Sequence, residues 1–200
     1  MTGKRSDTDA QDAFLEELNS ADPSPLEDLL SLGEALPRPA PSAALRARLL
    51  ASARHEGRFA HHAAEVARLL DLSPEAAGTL LDSIAEQSRW GPGPAPGVGL
   101  YHVAGGPAVE NAVTGFVRVD PGTTFPTHGH LGPETVLILQ GACQDSLGTR
   151  LVAGDLGHME PGSEHSFEVP ADGMPLLFLA VIQEGIEMFG QKMGPRHPGA

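Results

Sequence analysis

The feature that most constrains this chain is the stretch GTTFPTHGHLGPETVLILQG at residues 122–141. It sets His128 and His130 two residues apart, places Glu134 four residues further on, and has a glycine at each end. On extended backbone, alternate side chains share a face, so the two histidines point the same way. A tight turn at Leu131-Gly132-Pro133 lets Glu134 join them from the second arm of a short hairpin. Two imidazoles and a carboxylate brought together in this way are a donor set for a divalent metal ion. Plain surface polarity would account for a lone His-Gly-His, and it is the alternative against which the rest of the pattern is weighed.

Charge narrows the function classes. The formal net charge is −13, and both halves of the chain are acidic. Nucleic-acid phosphate and anionic membranes repel such a surface, so neither is an expected partner. The opening MTGKRSDTDAQD has basic residues with no apolar run behind them, so it does not read as a signal peptide. No apolar stretch has the length to cross a bilayer. The single cysteine, Cys143, excludes an internal disulfide and a cysteine-rich zinc site, and reads as a small buried hydrophobe. A reducing, cytoplasmic location is the expectation.

The chain changes character at Trp90. Residues 1–8 read as a disordered tail. Helical spacing follows at residues 9–19, then after Ser24-Pro25, where serine caps and proline occupies the first helical position. PRPAP at residues 37–41 reads as an extended linker. A helix starts at Ser42 with Leu45, Leu49 and Leu50 on one face and ends near Gly57; another carries Phe59, Val66, Leu69 and Leu70. Ser73-Pro74-Glu75 opens a further one bearing Leu80, Leu81 and Ile84. Beyond GPGPAPG at residues 91–97, short β-type runs appear at 98–103, 113–119, 135–139, 167–169 and 176–182, separated by Gly/Pro turns. Many short strands with such turns suggest a sandwich or barrel. The expected class is therefore α+β. Its parts are a tail at 1–8, a helical region at 9–90, a β-sandwich domain at 91–189 and a loose C-terminal tail at 190–200.

EVARLLDLSPEA, residues 65–76, has the outline of a helix-turn-helix. A DNA-reading helix needs Arg, Lys, Asn or Gln near its start. This one begins Pro74-Glu75-Ala76-Ala77, so the segment reads as packing. His61 and His62 are adjacent and point in different directions on a helix, which makes a poor chelate.

Residues 122–141 match the first cupin motif, G-x5-H-x-H-x3-E-x6-G, at every fixed position. GDLGHMEPGSEH, residues 154–165, resembles the second, G-x5-P-x-G-x2-H, through Gly154, Gly162 and His165. Its proline is one place late: Glu160 sits in that slot and Pro161 follows. The chain thus resembles a cupin, a double-sheet jelly roll. The resemblance implies a metal held by His128, His130, Glu134 and His165. Donor softness admits zinc, iron, manganese, nickel or copper. Four further residues are pocket candidates. Gln140 shares strand parity with Glu134 and is expected at the pocket floor. Phe167 shares parity with His165 and is expected in the wall. His158 faces the barrel if its strand is regular, and otherwise serves as a hydrogen-bonded structural residue. Tyr101 is a pocket candidate as an acid–base or substrate-orienting group, and His102 beside it on the first cupin strand is expected in packing or at the rim.

The string VDPGTTFPTHGHLGPETVLILQGACQDSLGTRLVAGD, residues 119–155, narrows the resemblance to the cupin domain of ChrR-type anti-sigma factors. In that family a helical domain holds a sigma factor and a zinc-binding cupin acts as sensor. The resemblance implies a zinc ion, a sigma factor or other protein partner, a small-molecule ligand and a homodimer formed through the cupin. One departure stands out. The family's H-x3-C-x2-C zinc motif is absent, because counting from His61 gives Glu65 and Arg68, and from His62 gives Val66 and Leu69. The helical half must then fold by packing alone. The leading expectation is a metal-binding cytoplasmic regulator and not an enzyme. A metal-dependent dioxygenase acting on a small organic substrate is the alternative, since cupins host both roles.

Overall fold

The computed structural model describes residues 42–52 and 57–195. The expected tail at 1–8, the helical segments at 9–19 and after Ser24, and the linker at 37–41 lie outside these residues, as do the last five of the C-terminal tail. The chain divides into two compact units at Ala47–Arg48, a boundary carried by helix α1 (Ala43–Ser52). Helix α1 starts where expected. Ser42 Oγ accepts the Leu45 N–H at 3.1 Å, and Ser42 O accepts that of Arg46 at 2.9 Å.

Within the second unit, helices α2 (Ala63–Leu70) and α3 (Pro74–Asp82) pack against each other. Helix α2 ends at Asp71, which adopts the left-handed conformation with φ 52°. Asp is one of the few non-glycine residues that tolerate this. Helix α3 begins as its sequence requires: Ser73 Oγ accepts the Ala76 N–H at 3.2 Å and Pro74 occupies the first turn. Val66 and Leu70 on α2, and Ala77 and Leu81 on α3, recur at i, i+4 and are all buried.

Twelve strands follow: β1 (Gly91–Pro92), β2 (Val98–His102), β3 (Ala112–Val119), β4 (Thr124–His130), β5 (Glu134–Gln140), β6 (Ala142–Asp145), β7 (Arg150–Val152), β8 (Leu156–Met159), β9 (Glu164–Glu168), β10 (Leu176–Gln183), β11 (Ile186–Met188) and β12 (Gln191–Met193). They make two six-stranded antiparallel sheets. Sheet A runs β1-β2-β3-β10-β5-β8 and sheet B runs β12-β11-β4-β9-β6-β7. The architecture is the expected α+β one, a small helical region followed by a cupin-like jelly roll.

Sheet A is buried on both faces. Toward α2 and α3 it presents Leu137, Leu139, Leu177, Leu179 and Val181. Toward sheet B it presents Val136, Ile138, Leu176, Phe178 and Ala180. This double burial explains why β10 reads LLFLAVIQ, a continuous apolar run, where a half-exposed strand would alternate. The helices are thus one layer of the fold, packed on the outer face of sheet A.

Three boundaries differ from the sequence reading. The GPGPAPG segment does more than link two regions. Gly91 and Pro92 pair with Leu100 and Gly99, and the Gly93 N–H donates to Val98 O at 2.8 Å. Proline is tolerated there because β1 is an edge strand. Nor is the tail loose from residue 190, because Gln191–Met193 pairs with Ile186–Met188. The turn between them uses Phe189 at φ 53° and Gly190 at φ 72°. Two consecutive left-handed residues suit a tight hairpin, but phenylalanine is no turn signal, so the strand is hidden in sequence. Finally, β4 and β5 are not a hairpin. They belong to different sheets, and Leu131–Pro133 crosses between them. A Cβ at Gly132 would lie 2.5 Å from Gln183 O, so only glycine fits this crossing.

If the helices are an integral layer, Leu70→Ala on α2 destabilises the protein as strongly as Leu179→Ala on β10, since both side chains are fully buried in one cluster. Each is expected to cost about 2–5 kcal/mol in denaturant unfolding, with one transition retained. A loss below 1 kcal/mol for Leu70→Ala alone would show that the helices merely rest on the sheet.

Candidate metal centre

His128 and His130 lie on β4 and His165 on β9, all buried. The strands are paired in sheet B, with His128 directly opposite His165. Their donor atoms gather within 4.8 Å of one another, and the Nε2 atoms of His128 and His165 are 3.2 Å apart. Glu134, at the start of β5, reaches across from sheet A and puts Oε2 2.7 Å from His130 Nε2.

Each imidazole is held from behind. His128 Nδ1 donates to Pro126 O at 3.0 Å. His130 Nδ1 faces Ser163 O at 3.2 Å and Ser163 Oγ at 3.1 Å. His165 Nδ1 donates to Asp145 Oδ2, and Asp145 is itself buried and fixed by the Leu147 N–H to its Oδ1 at 2.5 Å. With Nδ1 carrying the proton, every Nε2 turns a lone pair toward the common centre, the arrangement metal-binding histidines adopt. His130 Nε2 and Glu134 Oε2 are both buried, 2.7 Å from each other, and meet no polar group outside the cluster. Buried polar atoms left this way are costly unless something else satisfies them. The residues present therefore fit a divalent cation, and the three buried histidines could bind one.

Electrostatics tune the cluster. Burial, foremost, lowers the His128 pKa, with the neighbouring imidazoles adding to the effect. Burial also pulls on His130, but the hydrogen bond and negative charge of Glu134 outweigh it and raise that pKa. Cys143, on β6 nearby, is pushed up to about 11 by burial and by the Asp145 charge, so it stays a thiol.

A β-bulge makes the cluster possible. Between Phe125 and His128 the β4–β9 register slips by one residue at Pro126. Phe125 and His128 would otherwise face opposite sides of the sheet; the bulge turns both inward. Proline is accommodated because a bulge leaves an N–H unneeded. The second-motif turn also holds despite its displaced proline. Gly162, at φ 78°, donates its N–H to His130 O at 2.7 Å and so anchors β9 to β4.

The cluster opens onto a cavity of about 650 Å³ whose buried lining is mostly apolar. Phe167 is in its wall as expected, stacked on Phe125 at 4.8 Å between ring centres. Of the other three pocket candidates, two are placed elsewhere and one is at the cavity's edge. Gln140 does not reach the floor. A bulge in the β5–β10 pairing leaves Leu139 unmatched and sets Gln140 opposite Leu177, on the helix-facing side. His158 is exposed and hydrogen-bonds Thr135 Oγ1 at 3.1 Å, while its neighbours Gly157 and Met159 face inward. Tyr101 touches the cavity's edge, but its hydroxyl turns to Ser83 Oγ at 2.9 Å and its ring packs under the helices. Sequence reasoning missed Asp145 as the partner of His165, although it opens an Asp-x-x-Gly turn, because the pairing spans 20 residues. His62 is buried away from this cluster, its pKa lowered chiefly by burial, and His61 stacks beside it.

Two antiparallel sheets enclosing such a histidine cluster define a cupin. Residues 83–182 match the ChrR cupin-like domain, and the chain belongs to that family. No curated protein matches it. Among solved structures it is similar to the Rhodobacter sphaeroides complex of SigE with the anti-sigma ChrR, at 23% identity over 76% of this chain and 73% of that one, TM-score 0.47. It is similar to an acetylacetone dioxygenase from Acinetobacter johnsonii, at 17% identity over 55% of this chain and 82% of that one, TM-score 0.47. A protein of unknown function with a cupin-like fold from Ralstonia eutropha JMP134 shares 21% identity, with 49% of this chain and 64% of that one covered, TM-score 0.42. The chain spans less than two thirds of that last protein. In helix α2 this chain has an exposed Glu65–Arg68 ion pair of 2.5 Å and the fully buried Val66.

Native protein purified without a tag is expected to carry about one divalent ion per chain, lost in His130→Ala and kept in His158→Ala. Asp145→Asn should weaken retention by roughly 10–100-fold through His165. Retention should also fail as pH drops below about 6, where protons compete for imidazole. Elemental analysis at graded pH reads all of these; full retention in His130→Ala would refute the site. A second test concerns Cys143, which should resist iodoacetamide at pH 8 in the folded protein and react once it is unfolded.

Proposed function

We propose that this chain is a metal-dependent regulator. One divalent ion, zinc in the first instance, is held by His128, His130, His165 and Glu134. A small molecule or oxidant meets it in the cavity, and a protein partner, a sigma factor, is held through the helical part of the chain. When bound, the ion supplies a Lewis-acid or ligand-exchange centre. The chain's own residues exclude bulk water with the Phe125–Phe167 wall, orient the imidazoles, and keep the Nδ1 protons on fixed acceptors.

The observation that carries this reading is strand β5. Its first residue, Glu134, is in the cluster, and its outward side chains Leu137 and Leu139 are in the core shared with α2 and α3. A change at the cluster therefore has a short mechanical route to the helical layer. The lining supports sensing over acid–base chemistry. Beyond the cluster and Asp145, its titratable groups are His102 and Lys192, both exposed, the Cys143 thiol, and Tyr101, whose hydroxyl is engaged by Ser83. A dioxygenase acting on a small organic substrate is the second reading, favoured by the apolar cavity beside a three-histidine, one-carboxylate donor set.

The full chain, expressed in its native host, is expected to co-purify with a sigma factor and to release it after chelation or oxidant treatment. Chelation should also lower Tm, because an ion bound only by the native state stabilises it by mass action. Oxygen uptake with a small organic substrate, in metal-loaded protein that captures no partner, would instead establish the enzyme.

A further inference from the structure

A second cavity, of about 210 Å³, lies between the helical layer and the outer face of sheet A, away from the histidine cluster. Its walls are apolar, built by Phe59, Leu81, Ile84, Trp90 and Leu177. Into it come two guanidinium groups, from Arg58 and Arg118, and no carboxylate lines it. That is notable in a chain with 13 basic and 26 acidic residues.

Both arginines are held in place. Arg58 lies over the Phe59 ring at 5.2 Å, and its Nη2 donates to Gln140 Oε1. Gln140 is fixed in turn by its Nε2–H to Pro175 O at 2.9 Å. The bulge that removes Gln140 from the metal cavity is what places it here. Arg118, on β3, lies over the Trp90 ring at 5.7 Å. Its Nε is buried without a hydrogen-bond partner; Asp120 Oδ1 is 3.9 Å away, too far to accept. The Arg118 side chain is otherwise partly exposed, with Asp120 as its ion-pair neighbour, but this one buried N–H has no acceptor within reach, and an acceptor from outside would satisfy it.

We propose that this cleft binds a small organic carboxylate. The planar fork of arginine matches a carboxylate with paired N–H donors. The aromatic and aliphatic walls take an apolar body. The volume is below the roughly 300–1,000 Å³ of pockets for drug-sized ligands, so the acid is small. Its two sides belong to different layers: Phe59, Leu81 and Ile84 come from the helical segment, Arg118, Gln140 and Leu177 from the sheet. A bound acid therefore clamps the helices to sheet A. Gln140 and Glu134 are the two ends of one strand, so this second site touches the same element as the metal cluster.

Trp90 is the sole tryptophan and a wall of the cleft, so its emission reports occupancy directly. Cyclohexanecarboxylate, which does not absorb at the excitation wavelength, is titrated into the metal-loaded full chain, beside cyclohexylmethanol and inorganic phosphate. The expected result is a saturable emission change with the carboxylate, none with the alcohol, and weaker binding of phosphate. Arg118→Met and Arg58→Met should each weaken the carboxylate by about tenfold or more, and Arg118→Lys by less. Met159→Ala, in the wall of the metal cavity, should leave it unchanged. Equal binding of the alcohol would overturn the proposal, as would wild-type affinity in both methionine variants. Tighter binding of phosphate would overturn the carboxylate assignment. Loss in Met159→Ala with the arginine variants unaffected would place the acid in the metal cavity and equally refute the cleft. If Arg118→Met does not fold, Arg58→Met and Arg118→Lys keep the test decisive.

Discussion

The structure depends on how three imidazoles can be buried side by side. Placed in an apolar interior, each must find partners for two ring nitrogens. The fold answers for one nitrogen of each ring with an acceptor of its own: Pro126 O, the Ser163 carbonyl and hydroxyl, and Asp145. The other nitrogen is left facing a shared centre, together with a carboxylate from the opposite sheet. A protein core tolerates such a concentration of unmet lone pairs when a cation takes them up. The site is thus as much a constraint on folding as a consequence of it, and Glu134 is the cluster's single tie to sheet A.

Sheet A is the second organiser. Because it is covered on both faces, its central strands carry information in two directions. On β10, Leu177, Leu179 and Val181 meet the helices, while Phe178 and Ala180 meet the cavity. A shift of one strand changes both compartments, since closely packed side chains transmit displacement and do not absorb it. The proposed regulation by a ligand in the jelly roll needs some such element, and the sheet shared between two cores could supply it. The helical pair is held to that sheet by the buried Val66, Leu70, Ala77 and Leu81.

The two bulges have opposite effects on what each strand offers the cavity. At Pro126 an extra residue turns Phe125 inward along with the histidines. At Leu139 an extra residue turns Gln140 outward, to hold Arg58. In each case a simple alternation of faces is interrupted once, and a side chain changes compartment. Bulges commonly redirect side chains near sites in this way.

By itself the sequence determined the donor set and the order of the fold. His128, His130 and Glu134 were legible because a period of two on extended backbone brings alternate residues to one face. Their glycine-bounded spacing, with His165 downstream, marked the fold family. The helix caps at Ser42 and Ser73 and the change from helical to strand periodicity at Trp90 were legible too, since capping and periodicity are local properties. What only the tertiary structure decided is everything that depends on register. That includes which sheet Glu134 comes from, the pairing of Asp145 with His165, the outward turn of His158, and the transfer of Gln140 to the helical side. It also includes the hidden hairpin of β11 and β12, closed by a left-handed phenylalanine. The reason is common to all of them. Hydrogen-bond register and bulges are set by which strands meet, and strands far apart in sequence meet only once the sheets have formed.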